Sequence, residues 1–395
     1  MSCVRISKRC TARSHKRPVR AAAVLLGIVF QLSGQTPIEI QVKQTRDLIA
    51  AHRAAIPLLA SPADASAQIL LKGGSYYLCC GENAWIQEGD SRAGGPIGIQ
   101  VARKAEQVSA NSVVWVSYDS SSYERVLAEV ARMPRGVYVV AFGPKPKAEF
   151  PFTVGWVDSQ TGWDADSDLT LMGNVLSLWS LTGEVAAAAS RAGKTLAFYQ
   201  SAWMPGGNAR NQSYSGLTFH KRTPKMRPVE SGVLAGSYLE AIEAAVAGIA
   251  EGELAAIRKV RKAIDEHASA GKPVALVVTS HLMSGVAAKG NRAYRFEPDA
   301  AQLASKISGG DYVVSLGYSG IDDALYKAVH RAGAGAAWAL ASFVKPAEPA
   351  SAGDTFLDEH WEAGDAAVTV WGYDVPILPP SGIAQLFLYR LLFER

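Results

Sequence analysis

Short continuous apolar runs alternate with longer stretches of helical spacing along most of the chain. VALVV at 274–278, YVVSL at 312–316 and AWALASF at 337–343 are of the first kind, as expected of strands covered on both faces. Tyr238–Ala250 and Gly252–Ala268 are of the second, with the wide apolar spacing of packed helices. Strand and helix alternate, which predicts a parallel sheet with helices on both sides.

The pattern occurs twice. GGSYYLCCGEN at 73–83 matches KPVALVVTSHL at 272–282, an offset of 199. VVWVSYDSSSYERVLAEV at 113–130 matches YVVSLGYSGIDDALYKAV at 312–329 at the same offset. A third strand follows each time, at Gly136–Phe142 and Gly335–Phe343, and then FTVGWVD at 152–158 pairs with VTVWGYD at 368–374. Several matches in one order argue for an internal duplication. Each unit reads helix, strand, polar turn, helix, strand, polar turn, helix, strand, so the chain is expected to be a pseudo-dimer of two α/β units. Residues 35–200 form the first, 241–395 the second, and 201–240 a polar connection rich in Gly, Pro, Asn and Arg. That connection is too long for a simple linker and is expected to wrap or to function.

Composition changes the picture at the N-terminus. Of 40 Lys and Arg against 36 Asp and Glu, seven basic residues lie within residues 1–20, which hold no acid. The apolar run Ala21–Leu32 and the segment Ser33-Gly34-Gln35-Thr36-Pro37 follow. A basic start, a short apolar run and small residues describe a signal peptide over 1–34. The expected location is periplasmic or secreted, or cytoplasmic if that leader is misread. Without it the balance is 33 basic against 36 acidic residues, so the formal charge of +4 belongs to an address. The run is shorter than the roughly 20 residues that span a bilayer, and no other apolar run reads as a membrane span. Cys79 and Cys80 are adjacent in a strand-like run, which points their side chains to opposite faces and predicts two buried free thiols.

Candidate chemistry lies where open α/β sheets bind ligands, beyond the carboxyl ends of the strands. In the second unit these turns are Thr279-Ser280-His281 and Leu316-Gly317-Tyr318-Ser319-Gly320, with Ser315 in the strand before; in the first they are Cys80-Gly81-Glu82-Asn83 and Tyr118-Asp119-Ser120-Ser121-Ser122. Hydroxyls and helix-start N–H groups there suit an anion. The strand–YSG–acidic–helix order resembles the second phosphate loop of the sugar isomerase (SIS) domain family, and the CGEN turn resembles its first. The resemblance covers about residues 45–395 and implies two tandem flavodoxin-like three-layer units with parallel sheets. It also implies a phosphosugar ligand held at Thr279, Ser280, Ser315, Gly317, Ser319 and Gly320, with Gly81, Asn83, Ser120, Ser121 and Ser122 as first-unit counterparts. Unit one departs from the pattern: Glu82 and Asn83 stand where a hydroxyl is expected, and Ser121 replaces the Gly after Ser120. Unit two is therefore the better preserved anion site.

An aldose–ketose isomerase needs a base and a ring-opening acid. The candidates are His281, Glu82 and His220; Asp322 and Asp323 fit helix capping better. The histidines lack metal spacing, and there is no Walker loop, Rossmann fingerprint or GxSxG elbow, so no metal and no cofactor is expected. The basic stretch 209–227 has no aromatic–basic motif and does not point to nucleic acid. Three functions remain: a binding protein for a sugar phosphate or related anionic carbohydrate, a sugar-phosphate isomerase, or a non-catalytic structural or partner-binding module. The expected chain is a monomer, its two units pairing within one molecule, or a homodimer.

Overall fold

The computed structural model describes residues 35–146, 155–221, 227–318, 320–344 and 353–394. The leader and Ser319 lie outside the described residues.

The helix α1 (Pro37–Ala55) opens on a reciprocal cap: the Glu39 N–H donates to the Thr36 hydroxyl and the Thr36 N–H to the Glu39 carboxylate. After α2 (Ala60–Leu71) come β1 (Ser75–Cys79), α3 (Asn83–Gly89), β2 (Ile99–Ala102), β3 (Ser112–Ser117), α4 (Tyr123–Ala131), β4 (Tyr138–Gly143), β5 (Gly155–Asp158) and α5 (Ser167–Arg191). The five strands form one parallel sheet in the order β2-β1-β3-β4-β5. A short helix α6 (Gly207–Ser213), then α7 (Val233–Gly252) and α8 (Leu254–Ser269), lead into the second unit. It holds β6 (Val274–Val278), α9 (His281–Ala287), β7 (Tyr294–Glu297), α10 (Ala300–Ala304), β8 (Tyr312–Leu316), α11 (Asp323–Ala332), β9 (Gly335–Leu340), β10 (Asp354–Asp358) and α12 (Ser381–Phe393). Its sheet is parallel, in the order β10-β9-β8-β6-β7. The two units thus share one strand order and helices flank both sheets: a tandem pair of flavodoxin-like units.

Three details correct the sequence reading. The counterpart of β5 in the second unit is β10, not residues 368–374. Asp158 and Asp358, 200 apart, each accept an N–H two residues on, from Gln160 (2.8 Å) and His360 (2.7 Å), and both acceptor turns carry a left-handed residue at φ 57° and 53°. Val368 instead makes an antiparallel bridge to Ile377. Cys79 and Cys80 are joined in a disulfide. Alternation of side chains presumes extended backbone, and Cys80 departs from it with φ 63°, which leaves both cysteines in one buried cluster. Finally, α7 is long and apolar enough to cross a membrane by length and composition, as is the broken stretch Pro37–Leu71. In this fold α7 packs against α1 and α5, and a core helix of that kind passes the same test.

The units are bound through their last helices. α5 and α12, each following its unit's fifth strand, are buried along most of their length, and one hydrophobic core runs through both units. α12 touches α1, α5, α7, α8 and α9. The helices after the first strands, α3 and α9, also pack together. Gly285 is needed there, because a Cβ at that position would collide with Ala84. This contact brings the strand-end turns of the two units side by side. The boundary expected at 240 falls inside the continuous helix α7.

Candidate functional site

Thr279, Ser280 and His281 follow β6 and begin α9. Ser280 caps the helix, its hydroxyl accepting the Met283 N–H at 3.3 Å. With Tyr318, beyond β8, they line a cavity of about 600 Å³, within the range of small-molecule sites. The rest of the lining comes from Ser91, Ala93, Tyr199 and Gln200 of the first unit and from the connection between Ser201 and Ser215. The long connection therefore covers the second unit's strand ends.

That cover is fastened. Residues 195–199 run extended between 94–97 and 218–220, through Gly94 N–H to Tyr199 O (2.9 Å), Ile97 N–H to Ala197 O (2.8 Å) and His220 N–H to Thr195 O (2.8 Å). The Asn211 amide clasps the Gln200 backbone with bonds of 2.9 and 2.8 Å. Arg210 grips Asp374 with two bonds of 2.7 Å, the bidentate geometry suited to a carboxylate. His220 completes this staple, its Nε2 3.1 Å from Asp374 and its Nδ1 2.9 Å from the Tyr214 hydroxyl. His220 is thus not among the cavity's lining residues; it holds the cover to the second unit.

Behind the cavity lies a buried charge network. Arg92 reaches Glu88 (3.2 Å) and Asp365 (3.1 Å) and also donates to the Ser381 hydroxyl, all at most 1 % exposed. Trp179 donates to Glu88 at 3.1 Å. Burial raises the Glu88 carboxyl to about 7 against the pull of Arg92. The Tyr318 ring lies 5.8 Å from the Arg92 guanidinium and 5.2 Å from Trp361, and burial pushes its phenol well up. His281 is exposed toward the cavity, and partial desolvation together with the nearby Arg92 charge lowers its pKa below the ordinary value, with a bond to the Gln87 backbone opposing them. His281 therefore faces the cavity as a neutral imidazole at pH 7.

The remaining unit-two candidates, Ser315, Gly317 and Gly320, together with Asp322 and Asp323, are not among the residues that line this cavity. Ser315 is buried within β8. The Gly317 carbonyl accepts from Gln385 at 3.4 Å, and Gly320 adopts φ 116°. Asp322 caps α11, accepting from the Leu325 N–H at 2.8 Å, and Asp323 pairs with Lys327 at 2.5 Å. Gln385 also donates to Glu359 at 3.0 Å, as does Trp361 at 2.7 Å, yet burial still lifts Glu359 to about 8.

The first unit's turns are occupied by the chain itself. Asp119 accepts from the N–H and hydroxyl of both Ser121 and Ser122, at 2.7 to 3.0 Å. Burial works to raise its carboxyl, but these bonds outweigh it and hold it below the usual range. Ser120 is exposed. Gly81 lies against Ser117, whose hydroxyl accepts the Glu82 N–H at 3.3 Å. The Glu82 carboxylate pairs with Lys289, from the second unit, which also reaches Asp168 at 3.4 Å. Burial raises Glu82, and Lys289 offsets this only in part. Asn83 opens α3 and is exposed.

Sequence reasoning placed Thr279, Ser280 and His281 at the site and missed Ser91, Tyr199, Gln200, Trp203, Asn208 and Gln212, all in the lining. Amides on a loop have no diagnostic spacing; the only available signal was the length of the connection. Among the described residues no group of acidic, His or Cys side chains is arranged to hold a metal ion.

No family model and no curated protein matches the chain. Among solved structures, the chain is similar to a protein named as a sugar-binding protein, from Salmonella typhimurium LT2, with 9% identity, a TM-score of 0.50, and 88% of this chain and 98% of that one covered. It is also similar to a protein named as a phosphosugar isomerase, from Silicibacter pomeroyi DSS-3, with 11% identity, a TM-score of 0.45, and coverage of 89% and 95%. At such identities the likeness is one of fold, and the match to the Salmonella protein carries it over nearly the whole of both chains.

Proposed function

We propose that the chain is a carbohydrate-binding protein of the SIS type, that its site is the second unit's covered cavity, and that it binds without isomerising. The observation that carries this reading is the convergence of Thr279, Ser280 and His281 with the polar cover Gln200–Ser215 on one cavity. Its hydroxyls and amides each donate and accept, as a sugar's hydroxyls do. The naming of the Salmonella neighbour for sugar binding is consistent with it.

Absence of turnover is inferred from what the candidate acids and bases do. Glu82 is engaged with Lys289 and His220 with Asp374 and Tyr214. His281, its pKa lowered below the ordinary value, is a weaker base than a free imidazole. We also infer export of the mature chain: the Cys79–Cys80 disulfide suits an oxidising compartment, in keeping with the leader.

The test is a thermal-shift titration of the full chain with sugars and sugar phosphates. Binding at 100 times Kd stabilises by about 2.7 kcal/mol, and His281→Ala should weaken it. No shift with any of them at millimolar levels would sink the reading. An isomerisation assay on each ligand that binds separates binder from enzyme, and turnover abolished by His281→Ala would establish catalysis.

A further inference from the structure

We propose that this cavity takes an uncharged saccharide, one ring of which lies on the indole of Trp203, in preference to a sugar phosphate. The inference rests on the carbohydrate reading above and narrows it to one ligand class.

The first observation is the charge of the lining. Among the described residues that line the cavity there is no Lys, Arg, Asp or Glu. Its polar groups are neutral amides and hydroxyls, such as Gln200, Asn208, Gln212, Ser215 and Thr279, together with an imidazole held neutral. A phosphate dianion in such a site would meet neutral donors only, without the stronger charge-assisted bonds that a Lys or Arg supplies. The nearest guanidinium in the floor, Arg92, does not supply them. It lies beneath Tyr318 and is already paired with two buried carboxylates, Glu88 and Asp365. Arg210, in the cover, is likewise committed to Asp374. A neutral saccharide needs no such cation, because amides and hydroxyls both donate to and accept from sugar hydroxyls.

The second observation is Trp203. It lines the cavity and is nevertheless 66% exposed. A large aromatic left in water beside a concave polar surface offers a ligand an apolar face. Pyranose rings carry an apolar C–H face, and a flat indole offers a matching surface while its edge stays wet. Trp203 stands next to Ser201 and Ala202, on the fastened part of the cover; its own N–H donates to the Ser201 hydroxyl at 3.4 Å. The platform is therefore presented on a held backbone. The cavity's volume admits more than one sugar ring, which favours an oligosaccharide whose second ring extends over the indole.

The experiment uses the full chain and two probe sets: maltotriose, cellotriose and chitotriose against glucose 6-phosphate, fructose 6-phosphate and glucosamine 6-phosphate. Binding is followed by calorimetry and by tryptophan fluorescence, at low and high salt. A neutral probe should bind with little salt dependence and quench fluorescence. Trp203→Ala should weaken it about tenfold or more, and Trp203→Phe should recover part of the loss. Trp203 is exposed, so these variants keep the fold, which their unchanged melting temperature without ligand checks. A sugar phosphate that binds about tenfold or more tightly than every neutral probe, or binding of a neutral probe unmoved by Trp203→Ala, overturns this inference and leaves the carbohydrate reading standing. Binding by neither set overturns both.

Discussion

The two units share a strand order, yet differ at the turns after their first and third strands: among the described residues, those of unit two line a cavity of about 600 Å³, and those of unit one are bonded within the chain. Glu82 and Ser280 are equivalent N-cap residues, 198 apart. In unit two the hydroxyl at that position faces a covered cavity. In unit one the carboxylate is neutralised by Lys289, sent across from the other unit. Likewise the Ser120–Ser122 turn, which would suit an anion, is satisfied by Asp119 from within the chain. Duplication supplies two sets of strand-end turns of one geometry; carboxylates in the first set bond within the chain and make those turns part of the structure.

The comparison requires that the units act as one body, and the largest expected effect tests this. Arg92 and Glu88 belong to the first unit, Asp365 and Ser381 to the second, and all four side chains are buried together. Arg92→Met leaves two carboxylates buried without a counter-charge, which should cost about 3–5 kcal/mol. Chemical denaturation should show this as a lower midpoint in a single transition. A variant that unfolds in two steps, with one step unmoved, would show that the units are independent.

Next in size is a pH dependence centred on a position where the two units differ. Ser159 in unit one corresponds to Glu359 in unit two, and both are fully buried. Burial holds the Glu359 carboxyl at about 8, against 4.5 ordinarily. The folded chain thus holds this proton more tightly than the unfolded chain. Its stabilising contribution is complete below about 4.5 and is lost as pH rises toward 8, by at most about 1.4 kcal/mol per pH unit. Glu88, raised to about 7, steepens the same fall over its lower part. Melting temperatures between pH 5 and 8 should decline, and Glu359→Gln should flatten the decline. An unchanged slope in that variant would remove Glu359 from the account.

A third change addresses the self-filled turn directly. Asp119→Ala removes the acceptor of four bonds and should cost about 1–2 kcal/mol. It also frees the Ser121 and Ser122 donors. Inorganic phosphate should then stabilise the variant more than the parent chain in a thermal melt. Equal stabilisation of the two would mean that Asp119 occupies a turn with no latent affinity for anions.

How much of this was legible in the sequence follows from which strands are buried on both faces. SYYLC, SVVWVS, VALVV and YVVSL are continuous apolar runs, and they revealed both units and their order. IQVA and YRFE, the outer strands β2 and β7, show exposed or half-exposed positions at every central residue and gave no such signal. DTFLD (β10) was passed over because VTVWGYD resembles FTVGWVD more closely by letters than by place. Thr279–His281 could be found because hydroxyls after a strand form a local pattern. The contact of Arg92 with Asp365 could not, because it joins distant segments through the packing of α3 against α9 and α12. The disulfide escaped because its turn depends on one left-handed residue, Cys80.

The smallest effect concerns Glu82. If its carboxylate is a charge held by Lys289, a double-mutant cycle of Glu82→Gln and Lys289→Met should give a coupling of about 0.5–1 kcal/mol. The value is modest because Lys289 is 39% exposed, so water competes for the pair. Lys289→Met alone also releases Asp168, whereas the cycle isolates the Glu82 contact. Ligand binding in the second unit's cavity should be unchanged in Glu82→Gln, because Glu82 is not among the lining residues. A coupling indistinguishable from zero, with binding lost in Glu82→Gln, would reverse the comparison: unit one would then hold a working carboxylate and unit two only its approach. A measurable coupling with binding intact would mean that the carboxylate in unit one serves the contact between the units, and that the neutral cavity in unit two holds the ligand.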